Sequence, residues 1–268
     1  MYKRQLRACF VLSLLTAAVI CGFGANKVIG ELEVDLAKQT YESVATMALT
    51  GAQAITRRKL QGAQLMSSIM SHAFPDKSAW PFVALSGYVD ISEGVATLTS
   101  STTVAINMIV YPEQAAEFEE HARQVYQEQG YPETAGVSEF GFGIFAQSED
   151  PEVTNNATDG RYHDVSGETS YGSKYKLMAP IFQHNSIDAR SLLLNVHAPE
   201  VQGKAVDGML DCTAAEASKN QVEGVKKPKA PECGVVTNFM ELIVRPGPAS
   251  LLYHPVYPAQ DSTTMVAM

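Results

Sequence analysis

The stretch KRQLRACFVLSLLTAAVICGF, residues 3–23, decides the setting of the whole fold. Lys3, Arg4 and Arg7 precede an uncharged run from Ala8 to Phe23, and nothing later in the chain matches that run. A basic flank is held on the cytoplasmic side while an apolar run enters the bilayer, so the remainder is expected on the far side. Two readings stay open. A spanning helix needs roughly 20 apolar residues, and Ala8–Phe23 reaches that length by extending to Ile29 if Lys27 snorkels to the interface, which gives an uncleaved anchor. Alternatively, Gly22 and Gly24 put small residues where a signal peptidase would cut after Gly24.

Outward from that segment the chain divides into residues 1–30 as anchor or signal, 31–75 as a stalk helix and 76–268 as an exported domain. Glu31–Met70 contains no proline and carries Leu32, Leu36, Val44, Met47, Ile55, Leu60, Leu65 and Ile69 at roughly helical spacing. The helix should end near Phe74 and Pro75, with Gly51 and Gly62 weakening it locally. Its plain role is a stalk; with a real anchor it also carries conformational change to the bilayer.

After Pro81 the texture changes. Phe82–Val89 and Val104–Val110 read as strands, and Pro112 opens a helix that Gly130 closes, with Phe118, Ala122 and Val125 on its apolar face. Val137–Ala146 suits a strand, 150–172 an irregular loop, Lys176–Phe182 a strand, and Pro199–Leu210 a short helix, while Ile187 and Leu192–Leu194 are expected to be buried. Val235–Val244 and Ser250–Tyr257 read as an antiparallel pair joined through Pro246, Gly247 and Pro248, and Thr264–Met268 as one more strand. This order predicts an α+β domain whose antiparallel sheet packs helices against one face.

The formal charge of −9 argues against a nucleic-acid partner, which needs clustered Lys and Arg. Of four cysteines, Cys9 and Cys21 fall in the apolar segment, leaving Cys212 and Cys233 to bracket a polar stretch. In an oxidising compartment a bridge between them contributes about 3 kcal/mol; zinc is the alternative, disfavoured without a CxxC partner. Asn156-Ala157-Thr158 is a glycosylation sequon in a loop. The six histidines have no metal-ligand spacing, and no nucleophile elbow, phosphate loop or dinucleotide fingerprint occurs. Neither a metal, a cofactor nor catalysis by this chain is expected; a secreted enzyme is a minority reading.

Trp80-Pro81-Phe82-Val83, then Tyr111-Pro112 with Phe118–Ala122, Ala179–Phe182, Leu193, Asn195, Val206, Met209 and finally Pro248–Tyr257 occur in an order that resembles the exported region of receptor-type adenylate/guanylate cyclases of diatoms and related algae. The closing segment is similar to that of CHASE domains. The resemblance covers about Trp80–Met268 and the anchor. It implies a PAS-like, CHASE/Cache-like extracellular sensor at the plasma membrane, followed in longer relatives by a second membrane helix and a cytosolic class III cyclase. The catalytic aspartates of that family have no counterpart here, and a chain stopping inside its last strand reads as a fragment. A PAS-like sheet would seat a small-molecule or peptide ligand against Tyr111, His184, Arg190 and Tyr253, with Trp80, Phe82, Phe182 and Val256 in the core. The plain alternative for Arg190 is an ion pair with Asp188 or another carboxylate. By family analogy the sensor works as a homodimer. The rival function is an adhesive or structural cell-surface glycoprotein, which would show an exposed apolar patch and no enclosed cavity.

Overall fold

A computed structural model of the chain describes residues 2–138, 140–147, 161–185, 189–222, 233–237, 240–242, 245–259 and 265–268. It falls into two units, Met1–Ile55 and Thr56–Met268. The first unit is helix throughout its described residues and forms most of α1, Tyr2–Ala73. Among the described residues α1 alone is long and apolar enough to cross a membrane, with a mean hydropathy of 1.9 over its most apolar 18-residue window and none of that window buried. Phe10, Leu12, Leu15, Ile20 and Phe23 are all exposed, which an aqueous helix avoids and a lipid-facing helix requires.

The second unit begins with the last turns of α1, which turn inward. Met66 and Met70 are buried, and a Cβ on Gly62 would stand 2.4 Å from the Thr99 methyl group, so the glycine lets α2, Tyr88–Thr99, approach. The expected weak point of the stalk is therefore a packing site. The helix ends at Ala73, ahead of Pro75, as the proline requires. A short 3₁₀ turn at Lys77–Ala79 follows, capped by Asp76, whose Oδ1 accepts the Ser78 N–H at 2.9 Å. Those hydrogen bonds hold the Asp76 carboxyl below its ordinary pKa.

A sheet of short segments forms the middle of this unit. β1 (Ala105–Asn107) pairs antiparallel with β6 (Ile181–His184). Backbone hydrogen bonds extend the ladder on both sides. Val110 and Met178 exchange bonds at 2.9 and 2.7 Å, and Asn107 exchanges bonds with Met268 at 2.8 and 2.9 Å. Val256 donates to Ala267 O at 2.7 Å, so Met265–Met268 lies between β1 and Val256 as the strand reading of 264–268 expects. On the other side Leu193 N–H donates to Ile181 O at 2.8 Å and Phe145 N–H to Leu193 O at 3.0 Å. That leads to β4 (Phe145–Gln147), which pairs with β5 (Arg161–His163).

Side chains alternate across this ladder, as a strand period of two dictates. Met108, Val110, Met178 and Phe182 join one core cluster with Met66, Met70, Phe118 and Val125. Ile109, Leu177, Ala179 and Val196 join a second with Val206 and Met209 of α4, Glu200–Val222. Helices thus cover both faces: the end of α1, α2 and α3 (Ala115–Glu128) on one, α4 on the other. The single-face expectation is corrected, because apolar residues sit at both parities of the strands and each set needs cover.

Other differences have local causes. Phe82–Val89 is no strand: Tyr88 already starts α2, and Leu85 obtains strand-like bonds from the Gln183 amide, which accepts its N–H at 3.0 Å and donates to its carbonyl at 3.1 Å. Val137–Ala146 is broken into β2 (Val137–Ser138), β3 (Gly141–Phe142) and the start of β4. The helix expected at Pro199–Leu210 continues to Val222. The 112–129 helix opens as a 3₁₀ turn at Pro112–Gln114 before α3. Within the irregular 150–172 stretch, Arg161–His163 forms β5. The expected antiparallel pairing of 235–244 with 250–257 is present, but the connection between them differs. β7 (Val235–Val236) pairs with β10 (Leu252–Tyr253), while Pro246–Pro248 lie within β9 (Arg245–Ala249), opposite β8 (Met240–Leu242), rather than in a turn. Proline is tolerated there because, among the described residues, the β8–β9 ladder has two strands and one side of each carries no ladder bonds.

Candidate functional site: a buried histidine–carboxylate network beside α4

The segment after Leu192–Leu194 carries two polar residues into the interior, Asn195 and His197, neither of them exposed. Asn195 Oδ1 accepts the N–H groups of Ala179 and His197 at 2.8 and 3.0 Å, and its amide donates to Asp164 Oδ2 at 2.6 Å. The other Asp164 oxygen accepts from Ser166 N–H, Ser166 Oγ and Gly167 N–H at 3.2–3.3 Å. Asp164 is almost completely buried, and these donors replace the water it has lost.

His197 extends the network to α4. Its Nδ1 lies 2.9 Å from Leu177 O and its Nε2 2.8 Å from Asp207 Oδ1. Asp207 also accepts from Ser173 Oγ at 2.9 Å and Tyr171 Oη at 3.0 Å. Burial, and then the Asp207 carboxylate, push the Tyr171 phenol well above its ordinary pKa. Its ring stands edge-on to His197, with centroids 6.3 Å apart. Gly203 makes this approach feasible, since a Cβ there would sit 2.2 Å from His197 O and 2.6 Å from the Tyr171 ring.

On the opposite face lies an aromatic cluster with the reverse balance. Phe118, Tyr126 and Phe182 pack with centroids 5.3–6.0 Å apart, and His121 stacks on Phe182 at 5.7 Å. Tyr126 Oη donates to Phe182 O at 2.8 Å, whereas the hydroxyl of Tyr88 and Nε2 of His121 have no partner among the described residues. Burial raises the pKa of Tyr88 and Tyr131 and lowers that of His121. A third polar group, surface-facing, pairs Glu119 Oε1 with both Ile144 N–H and His163 Nε2 at 2.8 Å.

The four sequence-derived ligand residues have different surroundings. His184 is buried at the end of β6, opposite Ala105, and its Nε2 lies 3.2 Å from Ser191 Oγ. Arg190 is exposed in the adjoining 3₁₀ turn, Ala189–Ser191, so these two share one neighbourhood; Ile187 and Asp188, expected as a core residue and an ion-pair partner, lie outside the described residues. Tyr111 is half-exposed ahead of Pro112–Gln114, its N–H donating to Gln114 Oε1 at 3.2 Å. Tyr253 is buried in the α4-side core with an unpartnered hydroxyl that burial shifts upward. Asn156 also lies outside the described residues. Cys212 and Cys233 form a disulfide with Cα atoms 5.7 Å apart. Trp80, Phe182 and Val256 are core residues and Phe82 packs against them. A groove lined by Asp90, Glu93, Thr97, Ser100 and Ser101 is open and acidic, unlike the enclosed aromatic pocket expected of a sensor.

Sequence reasoning passed over the network around His197, because its members are 10–36 residues apart and form no motif. The available signal was two polar residues inside the buried run Leu192–Ala198. No family model matches this chain, and neither a curated protein nor a solved structure does.

Proposed function

We infer that the chain is the membrane-anchored, exported sensing region of a receptor, with α1 as the element that carries the state of the domain to the bilayer. The observation that supports this most directly is how the end of α1 is tied in. Ser67 Oγ donates to Pro255 O at 2.9 Å, and Ser71 Oγ to Tyr257 O. Pro255–Tyr257 flanks the sheet through Val256, so a shift in the sheet is felt at these two bonds. Tyr257 also meets α4, its hydroxyl 2.9 Å from Thr213 Oγ1.

The disulfide fits an oxidising compartment, in keeping with export. The neighbourhood of His184, Ser191 and Arg190 is the favoured ligand seat, since it joins a buried imidazole to an exposed cation. A ligand works by preferring one of two domain arrangements, and only its differential affinity counts. Coupling to a cytosolic nucleotide cyclase rests on the resemblance to the algal receptors and is the finest grain of this reading.

The rival reading, a cell-surface contact domain, draws on the filled aromatic core and the open acidic groove. An orientation assay tests what the two readings share, and a ligand screen separates them. The full chain in intact cells should shield an N-terminal epitope from added antibody while external protease digests the domain; the opposite orientation defeats both readings. A compound library screened by thermal shift on the detergent-solubilised chain should yield a stabiliser whose effect His184→Ala abolishes. If every stabiliser acts equally on that variant, the proposed ligand seat is wrong.

A further inference from the structure

We propose that His197 is held as an imidazolium and acts as a proton-dependent latch that fastens α4 to the 169–177 segment. The argument is a hydrogen count. Leu177 O can only accept, so Nδ1 must carry hydrogen. Asp207 already accepts from Ser173 Oγ at the oxygen facing Nε2 and from Tyr171 Oη at the other. Ser173 Oγ itself accepts the Tyr175 N–H at 3.0 Å, which commits its hydrogen to Asp207. With its partly exposed side chain ionised, Asp207 accepts on both oxygens, and Nε2 must donate as well. Two donors on one imidazole make it a cation.

The charged groups around the ring complete the picture. From α4 it faces Asp207, with Lys204 one turn earlier, 6.0 Å from the Tyr171 ring centroid. From the 169–177 segment it faces Tyr171, and Asp164 stands behind Asn195. One turn further along α4, Asp211 takes Lys174 and the Tyr175 hydroxyl at 2.6 and 2.7 Å, a second and exposed tie between the same elements. The ring is fully buried while Asp207 keeps an 18 % exposed edge, so losing the proton leaves an enclosed nitrogen lone pair facing an acceptor oxygen. The ring cannot turn away, because His197 is fully enclosed and Gly203 brings the first turn of α4 against its carbonyl.

Deprotonation therefore loosens the first half of α4. That helix reaches α1 through Tyr257, which bonds Thr213 at its hydroxyl and Ser71 at its carbonyl. The latch concerns proton binding and stands whether or not the domain senses a small molecule.

The test uses the full chain in detergent micelles, with ring nitrogens of histidine labelled with nitrogen-15. Both His197 nitrogens should read as protonated at about pH 7, where an ordinary imidazole is mostly neutral, and protection of the first half of α4, taken relative to the intrinsic exchange rate at each pH, should fall as pH rises. The unfolding midpoint should fall by about 4 °C or more between about pH 5 and about pH 8 relative to His197→Gln, whose amide does not titrate. Comparison with that variant removes the contribution of the exposed His163. A His197 that is neutral at about pH 7 overturns the proposal, as does a pH slope that His197→Gln leaves intact. The labelling result on the unaltered chain decides the matter if the variant does not fold.

Discussion

Two regions of this domain bury polar groups to the same degree and treat them in opposite ways. Around Asn195, every described donor and acceptor of the amide, of Asp164 and of His197 has a partner within 3.3 Å. Across the sheet, the buried Tyr88 holds a hydroxyl with no partner among the described residues. Burial alone therefore does not fix the sign of a polar group's contribution; the hydrogen-bond balance does. Removing a polar atom from the first region should weaken the fold, and removing one from the second should strengthen it.

The largest effect is expected at Asn195→Ala. It strands the N–H groups of Ala179 and His197 and one oxygen of Asp164, three groups of which each costs about 1–3 kcal/mol when buried unpaired. We expect a loss of about 4 kcal/mol in urea unfolding. A loss below about 1 kcal/mol would mean that water reaches these groups, and the contrast between the two regions would collapse. Next comes the disulfide, which ties α4 at Cys212 to the segment entering β7. The double variant Cys212→Ser, Cys233→Ser should lose about 3 kcal/mol, read by the same titration under non-reducing conditions.

The two regions were also unequally legible in the sequence. The aromatic face was readable: Phe118, Ala122 and Val125 stand one helical turn apart between Pro112 and Gly130, and all three are buried. The apolar segment of α1 followed from composition and period in the same way, as did a strand within the expected 104–110, where β1 covers Ala105–Asn107, while of the expected 264–268 strand the described residues Met265–Met268 form ladder bonds to Asn107, Ile109 and Val256. Phe82–Val89 misled because Val83 and Tyr88 are buried by tertiary contact, while Leu85 takes its hydrogen bonds from a side chain 98 residues away. The His197 network failed for a related reason. Its residues meet only when α4 folds back on the sheet, and no local spacing records that encounter.

A smaller effect belongs to Gly203→Ala. The new methyl group would meet the His197 carbonyl, which is backbone and cannot swing aside, as well as the Tyr171 ring. Alanine favours the helix by about 1 kcal/mol, but overpacking costs about 1–3 kcal/mol, and contact with backbone belongs at the upper end. We expect a net loss of about 2 kcal/mol together with weakened protection of the first half of α4 in hydrogen exchange. A stabilised variant would show that α4 does not press against His197.

Tyr88→Phe should produce the smallest effect and the only gain. The ring remains, so its packing at the start of α2 is kept, while a hydroxyl with no partner is removed from a side chain only 1 % exposed. An unpaired buried hydroxyl costs about 1–3 kcal/mol, and part of that returns as better transfer of the phenyl ring, so the midpoint of unfolding should rise by about 2–4 °C. Tyr171→Phe is the matched control, because the same atom is deleted where Asp207 accepts from it at 3.0 Å. That variant should lose about 1 kcal/mol. If both tyrosines respond with the same sign, a water molecule satisfies Tyr88 and the two polar regions are alike after all; opposite signs establish that the sheet separates a completed network from an incomplete one.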